Sequence, residues 1–395
     1  MRRSSRLRAS IAAYGVLLLF AAIMLFPFVF MAATALKTPE DTFRYPPRIL
    51  PRTQDSVTIE GEEQDLYAIE LPSGDTASMY IAESGVTAGL FVEPDDPEQS
   101  VAWPLELATD TGATVDVAGT VLPVYDVTIG DNVRELALER ETAVARFVDP
   151  GDEDQVAYAV ARTAERAERV EFQWQNFTDI VELRDIDRAL TNTILVTVLV
   201  VGGTLFTSIM GGFAFSRVRF PGRDKIFVAY IGSIMIPFIV LIVPLFRLMV
   251  ELGWVDTLGS LVWPFLFNAY GTFLMRQFFS TIPGELEEAA FIDGASRWTI
   301  LWRLYVPLSW PAIATLATFM FLYAWNSFIW PLVSINLGNS DDFVLTLALQ
   351  TLNGQAGEGP NLLFAAIVIS VMIPFTVFIL AQRYFVENAA SSGIK

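Results

Sequence analysis

Residues 282–298 read Ile282-Pro-Gly-Glu-Leu-Glu-Glu288-Ala-Ala-Phe-Ile-Asp293-Gly294-Ala-Ser-Arg-Trp298, and the next proline is Pro307. The stretch encodes two short helices about a glycine. Pro283 suits a helix start, where its fixed φ helps and its missing N–H costs nothing. Glu285, Glu287 and Glu288 fall in the first turn, where negative charge meets the positive end of the helix dipole. Leu286, Ala289, Ala290 and Ile292 supply an apolar face of mostly small side chains, which lets another surface come close. Gly294 suits the left-handed position that closes a helix. Ser296 can cap the next one, which is expected to run to Pro307 and turn there.

On both sides of this polar stretch the chain is apolar. A bilayer core of about 30 Å takes roughly 20 apolar residues in a helix. Charge-free windows of that size lie at residues 11–36, 189–216, 226–246, 257–275, 304–340 and 359–382. The fifth is long for one span, and its helix is expected near residues 308–332. Six spans result, several carrying a proline (Pro27, Pro237, Pro264, Pro374), which membrane helices tolerate.

Positive charge marks the cytoplasmic side of a span. Arg2, Arg3, Arg6 and Arg8 precede the first span; Arg217, Arg219, Arg223 and Lys225 follow the second; Arg276, Arg297 and Arg303 follow the fourth. The intervening segments are acidic: residues 37–187, then Glu251 and Asp256, then Asp341, Asp342 and Glu358. Both termini and the 281–307 loop are therefore expected in the cytoplasm. The first apolar stretch, about 25 residues, exceeds the 7–15 of a signal-peptide core, so a retained helix is expected.

Composition narrows the chemistry. Hydrophobic residues make up 53% of the chain. Residues 37–187 carry 33 acidic and 11 basic side chains, a net charge of −22, and the remainder carries +4. There is no Cys and no His, so disulfides, thiolate nucleophiles, imidazole metal ligands and a Ser-His-Asp triad are excluded. None of the three lysines, Lys37, Lys225 and Lys395, follows a phosphate-cradling Gly-rich loop. Any nucleotide chemistry must come from a partner.

With Glu288-Ala289-Ala290, Gly294 and Val306-Pro307 at their spacing, the 281–307 loop resembles the EAA loop of ABC importer permeases. Leu304 and Val306 stand where the family usually has Ile and Leu, conservative departures. Four further segments resemble the smaller permease of maltose-type carbohydrate importers. They are Phe215-Ser-Arg-Val-Arg-Phe-Pro-Gly-Arg-Asp224, Arg276-Gln-Phe-Phe-Ser-Thr-Ile-Pro283, Ala324-Trp-Asn-Ser-Phe-Ile-Trp-Pro331 and Gln382-Arg-Tyr-Phe-Val386. The likeness covers residues 1–45 and about 175–395.

That resemblance implies an all-α polytopic membrane protein with six transmembrane helices, the type I importer fold. It implies a non-catalytic subunit in the cytoplasmic (inner) membrane of a prokaryote, forming half of a carbohydrate pathway. Its implied partners are a second homologous permease, two ABC ATPase subunits, an extracytoplasmic solute-binding protein and the lipid bilayer, with no nucleic acid. No cofactor or metal is implied in this chain; ATP and Mg would be held by the ATPase subunits. Glu288, Ala289, Ala290, Asp293, Gly294 and Pro307 would form the ATPase-coupling element. The expected domains are 1–45, an N-terminal tail and first span; 46–175, an acidic extracytoplasmic insertion; and 176–395, the permease core.

Four residues within the spans are candidates for the substrate path: Trp325 and Asn326 in the fifth helix, Asn268 and Tyr270 in the fourth. Amides and aromatic faces suit an uncharged polyol, and such residues equally serve as interhelical glue. Residues 351–360, with Asn353, Gly354 and Gln355, resemble in position a loop that reaches into the binding protein; a flexible connector is the other reading. The C-terminal residues 387–395 resemble a tail that contacts the ATPases, without the family's usual ending. Two rival readings are the same machine carrying a glycerol phosphodiester or other polyol derivative, for which Arg247 is the basic residue well within a span, and a membrane-anchored ligand sensor.

The acidic middle alternates with period two at Val57-Thr-Ile-Glu, Leu66-Tyr-Ala-Ile-Glu-Leu, Ser78-Met-Tyr-Ile-Ala-Glu, Thr114-Val-Asp-Val-Ala, Val124-Tyr-Asp-Val-Thr-Ile and Ala143-Val-Ala-Arg-Phe-Val. A small antiparallel β domain is expected between the first and second spans. Residues 152–170 are expected to form a helix leading back to the membrane, with Trp174 and Phe177 at its interface. Clustered acids such as Asp152-Glu153-Asp154 lack the spacing of a calcium loop and read as solvated surface.

Overall fold

The computed structural model describes residues 2–71, 75–94, 96–129, 132–183, 185–354 and 359–392. The chain divides into two units, Met1–Thr42 with Gln173–Lys395, and Phe43–Phe172.

The first unit is helical. It comprises α1 (Arg2–Ala35), α2 (Pro39–Thr42), α3 (Gln175–Leu183), α4 (Ile186–Arg217), α5 (Arg223–Gly232), α6 (Phe238–Leu252), α7 (Leu258–Val262), α8 (Ala269–Thr281), α9 (Gly284–Ile292), α10 (Arg297–Ile300), α11 (Val306–Leu308), α12 (Trp310–Trp325), α13 (Ile329–Ser334), α14 (Leu345–Gly354) and α15 (Pro360–Ser392). Ser10–Ala35, Ile186–Arg217, Leu258–Thr281 and Pro360–Gln382 are long and apolar enough to cross a membrane. Two further segments are bent pairs, Arg223–Met235 with Phe238–Leu252 at 100° and Arg297–Leu308 with Trp310–Trp325 at 80°.

The first bend corrects the straight span expected at 226–246, whereas the second falls at Ser309, beside the turn expected at Pro307. Pro237 has no N–H to donate and breaks the first pair. In the second, Pro307 and Pro311 flank the break at Ser309. The fifth helix also stops early, at Trp325, and the chain restarts as α13. A proline shapes the fourth expected span as well. Pro264 lies in a 3₁₀ turn, Trp263–Phe265, and Asn268 caps a new start at α8.

Two apolar cores hold the helical unit. One gathers Ile186, Val196, Trp325, Trp330, Leu345 and Ala366; the other gathers Phe213, Met275, Phe279, Tyr305 and Leu316. α4 and α8 approach closely at small residues. A Cβ on Gly212 would lie 2.6 Å from Met275 Cβ and 2.9 Å from the Arg276 amide nitrogen. Small residues let membrane helices pack backbone to backbone.

The second unit is antiparallel β. It comprises β1 (Arg52–Gln54), β2 (Ser56–Ile59), β3 (Glu62–Glu70), β4 (Thr76–Glu93), β5 (Asp96–Pro104), β6 (Ala108–Val117), β7 (Thr120–Ile129), β8 (Asn132–Asp149), β9 (Asp152–Ala159), β10 (Glu165–Arg166) and β11 (Glu168–Val170). The main sheet runs β10-β3-β4-β8-β7-β6, with β2 on β3, β5 on β4 and β9 on β8; β1 pairs β11 separately. Each period-two run named above falls on a strand. The helix expected over 152–170 does not form. Val156 and Ala157 pair with Val148 and Phe147 of β8, and Ala157 is buried in that core. Cross-strand packing overrides the helical leaning of an Ala-, Glu- and Arg-rich stretch.

Candidate functional site

The 281–307 loop is built as its residues dictate. Pro283 precedes α9, whose first turn holds Glu285 and Glu287. The helix closes at Asp293, and Gly294 follows at φ +81°. There the Ala295 N–H donates to Ala290 O at 2.9 Å and the Gly294 N–H to Phe291 O at 3.0 Å, the paired bonds of a glycine-closed helix end. Ser296 Oγ accepts from the Thr299 N–H at 3.1 Å and caps α10. A π-helical stretch, Leu301–Tyr305, then carries the chain into α11.

One side of the loop is fastened. Arg217, the last residue of α4, donates to Phe279 O at 2.6 Å and to Ile282 O, carbonyls at the end of α8. Its guanidinium lies 3.9 Å from Glu287 Oε2 and 5.1 Å from the centre of the Tyr305 ring. Tyr305 in turn donates its hydroxyl to Glu287 Oε2 at 2.8 Å. The buried tyrosine ring is gripped edge-on by Phe213 at 5.2 Å and Phe279 at 5.4 Å.

The other side is open. Glu288, Ala289, Asp293, Gly294 and Pro307 are exposed, and Ala290 is half-buried against the second core. Beside them Leu286, Phe291, Ile292 and Trp298 stand out into solvent, Ile292 at 87% exposure. Exposed apolar side chains interspersed in the chain with the exposed carboxylates of Glu285, Glu288 and Asp293, on a loop tied through Arg217 to α4 and α8, are suited to seating on a partner. The sequence offers Arg217 only as a loop charge and Glu287 only as a first-turn acid, and does not single out Tyr305. Their signals were slight: an arginine ending an apolar run, and one hydroxyl among the apolar residues before Pro307.

The family model for the binding-protein-dependent transport system inner membrane component matches residues 203–390. The sn-glycerol-3-phosphate transport system permease protein UgpE of Rhizobium meliloti is 34% identical over 203 residues, 51% of this chain and 72% of that protein. This chain belongs to that family of permeases. The arabinooligosaccharides transport system permease protein AraQ of Halalkalibacterium halodurans is 33% identical over 204 residues, 52% of this chain and 72% of that protein. A bacterial ABC transporter involved in the import of the acidic polysaccharide alginate provides a structural likeness. Its TM-score is 0.50 at 26% identity, covering 55% of this chain and 81% of that one. The permease is thus a non-catalytic, multi-pass importer component of type I fold. The family match leaves the β unit outside and takes in the whole 281–307 loop. A solitary ligand sensor is excluded by that membership.

The structure disperses the other candidates of this permease. Trp325 is buried, stacked on Phe321 at 5.5 Å, with its N–H on Ser370 O at 3.2 Å. The cavity it shares with Thr193, Tyr323 and Trp330 measures about 20 Å³, room for one water and no sugar. Asn268 accepts from the Gly271 N–H at 3.1 Å and caps α8. Asn326 is exposed at the end of α12 and bonds Leu322 O at 2.8 Å; Tyr270 is exposed. Arg247 is exposed and paired with Glu251 at 3.3 Å. Asn353 and Gly354 end α14, and Gln355 lies outside the described residues, as does the tip of the C-terminal tail.

Proposed function

We propose that this permease forms half of a pathway for an uncharged carbohydrate, and that the 281–307 loop couples it to an ATPase. The observation that carries the reading is the loop's two-sidedness: an open apolar patch on one side and the Arg217–Glu287–Tyr305 fastening on the other. A push on the patch would pass into α4 and α8 as a movement of solid parts. Glu288, Ala289, Ala290, Asp293, Gly294 and Pro307 lie on or beside the open side, in keeping with a coupling role.

In this reading the two bent pairs contribute one span each, the second of them after Pro307, giving six, with both termini in the cytoplasm and the β unit outside. A second homologous permease completes the pathway, two ATPase subunits hold ATP and Mg, and an extracytoplasmic binding protein delivers the solute. Of the four span residues, Asn326 and Tyr270 present exposed polar groups, and Asn268 and Trp325 belong to the packing that supports them.

Relatives differ in cargo: UgpE is named for sn-glycerol-3-phosphate and AraQ for arabinooligosaccharides. A phosphate ester would call for a cation aimed into the pathway. Arg247 is instead paired on its own helix to Glu251, which supports the neutral sugar. Uptake by the importer reconstituted in proteoliposomes tests this. Neutral oligosaccharides should be transported and should compete with one another, and glycerol-3-phosphate should not compete. Transport of glycerol-3-phosphate alone would replace this cargo with the rival one and leave the coupling role standing.

A further inference from the structure

The β unit carries its acidity unevenly. Residues 55–167 hold 25 acidic and 5 basic side chains, a net charge of −20. Residues 43–52, Phe-Arg-Tyr-Pro-Pro-Arg-Ile-Leu-Pro-Arg, hold three arginines and no acid. In the fold this segment meets β11, where Arg52 pairs in register with Val170. Arg44, Arg48 and Arg52 converge on the single carboxylate of Glu168, Arg48 at 2.5 Å and Arg52 at 3.6 Å. Arg44 and Arg52 keep about two fifths of their side-chain surface in the open, at 39% and 43%.

The same root displays apolar side chains that a water-facing surface would hide. Phe43 is 71% exposed and Tyr45 91%, with Ile49, Leu50 and Val170 about half exposed. The chain leaves and rejoins the helical unit beside the end of α1. α2 ends at Thr42, one residue before the root begins, and the Gln173 N–H donates to Leu36 O at 2.9 Å.

We propose that residues 43–52, with 168–170, lie in the phospholipid headgroup layer. Tyr and Phe settle at that depth, where an apolar ring and a polar edge are both satisfied. Guanidinium forks match phosphate oxygens in a bidentate manner. The acidic body of the unit is repelled by an anionic membrane surface, so the root, with four arginines against the single acid Glu168, is the part that can touch it. The partner is therefore the lipid headgroup. The inference rests on α1 crossing the bilayer.

The test is nitroxide scanning of the whole importer in nanodiscs of phosphatidylethanolamine and phosphatidylglycerol. The chain contains no Cys, so Tyr45→Cys, Ile49→Cys and Val170→Cys can each be labelled alone once cysteines are removed from its partner subunits. Collision rates with oxygen, which enters lipid, and with a nickel chelate, which stays in water, are compared. Val121→Cys, an exposed position at the β6–β7 end of the sheet, serves as the water reference, and Leu19→Cys in α1 as the span reference. The oxygen-to-nickel ratio at positions 45, 49 and 170 should exceed that at 121 several-fold. A ratio equal to that at 121 would mean the root stands in water. Slow collisions with both reagents would mean a protein subunit covers it. Either result overturns the proposal. A water-like Leu19 would instead overturn the crossing of α1 itself, and the proposal with it.

Discussion

Glu287 and Glu288 are adjacent in the chain and opposite in situation. Glu288 is exposed on the open side of α9, and Glu287 turns inward to Tyr305 and Arg217. Replacing them should therefore fail in different ways. Tyr305→Phe removes one charge-assisted hydrogen bond, about 1.5–3 kcal/mol, from the anchor while keeping the ring between Phe213 and Phe279. ATP hydrolysis by the assembled importer should persist and sugar delivered per ATP should fall; an unchanged ratio would show that the anchor transmits nothing. Glu288→Lys should instead weaken ATPase association, read in pull-down from membranes that still contain the permease. Gly294 meets no neighbour within 4 Å where a Cβ would sit, so the whole penalty of Gly294→Val is its backbone at φ +81°, about 1–2 kcal/mol. That substitution should lower coupling without lowering the amount of inserted permease.

At the scale of elements, the α4–α8 crossing is the tightest constraint. Gly212→Leu would drive a side chain into the backbone at Arg276, and no rotamer of Met275 relieves that. An overpacked crossing costs about 1–3 kcal/mol, and here it would also displace Arg217 five residues on. The expected outcome is a lowered melting temperature together with lost transport; Gly202→Leu, where a Cβ meets nothing, should leave the melting temperature unchanged. Much of this layer was legible beforehand, because apolar run length, Pro264 and the Ser296 cap are local signals. The turn beside Pro307 was legible too; the bend at Pro237 was not, since a proline in an apolar run is compatible with either a kink or a straight span. Arg217 and Glu287 meet across 70 residues of chain, and no local pattern announces such a meeting. Residues 152–170 failed for a related reason, as their partner strand β8 outweighs their own composition.

At the scale of the molecule, the family match, residues 203–390, leaves the whole β unit outside, so transport and insertion should separate. Deleting residues 55–167 with a short Gly/Ser bridge removes a net charge of −20 and keeps the three paired positions of β1 and β11 within reach of one another. Hydrolysis by the importer without binding protein should be unchanged. Association of the binding protein should depend on salt in the full chain, since screening length falls from about 10 Å at 0.1 M to about 3 Å at 1 M. That dependence should be absent after the deletion. Equal salt dependence in both forms would mean that the acidic body exerts no long-range pull or push on its visitor.

β4 and β8 are each 18 residues long and pair along much of their length. Met79 and Phe91 of one strand, and Phe147 and Leu136 of the other, lie in two separate small cores. Neither core can melt without parting strands that the other also needs. The unit is therefore expected to open all at once: in hydrogen–deuterium exchange the amides around Met79 and those around Phe91 should lose protection at a common rate, though almost no side chain is shared between the two clusters.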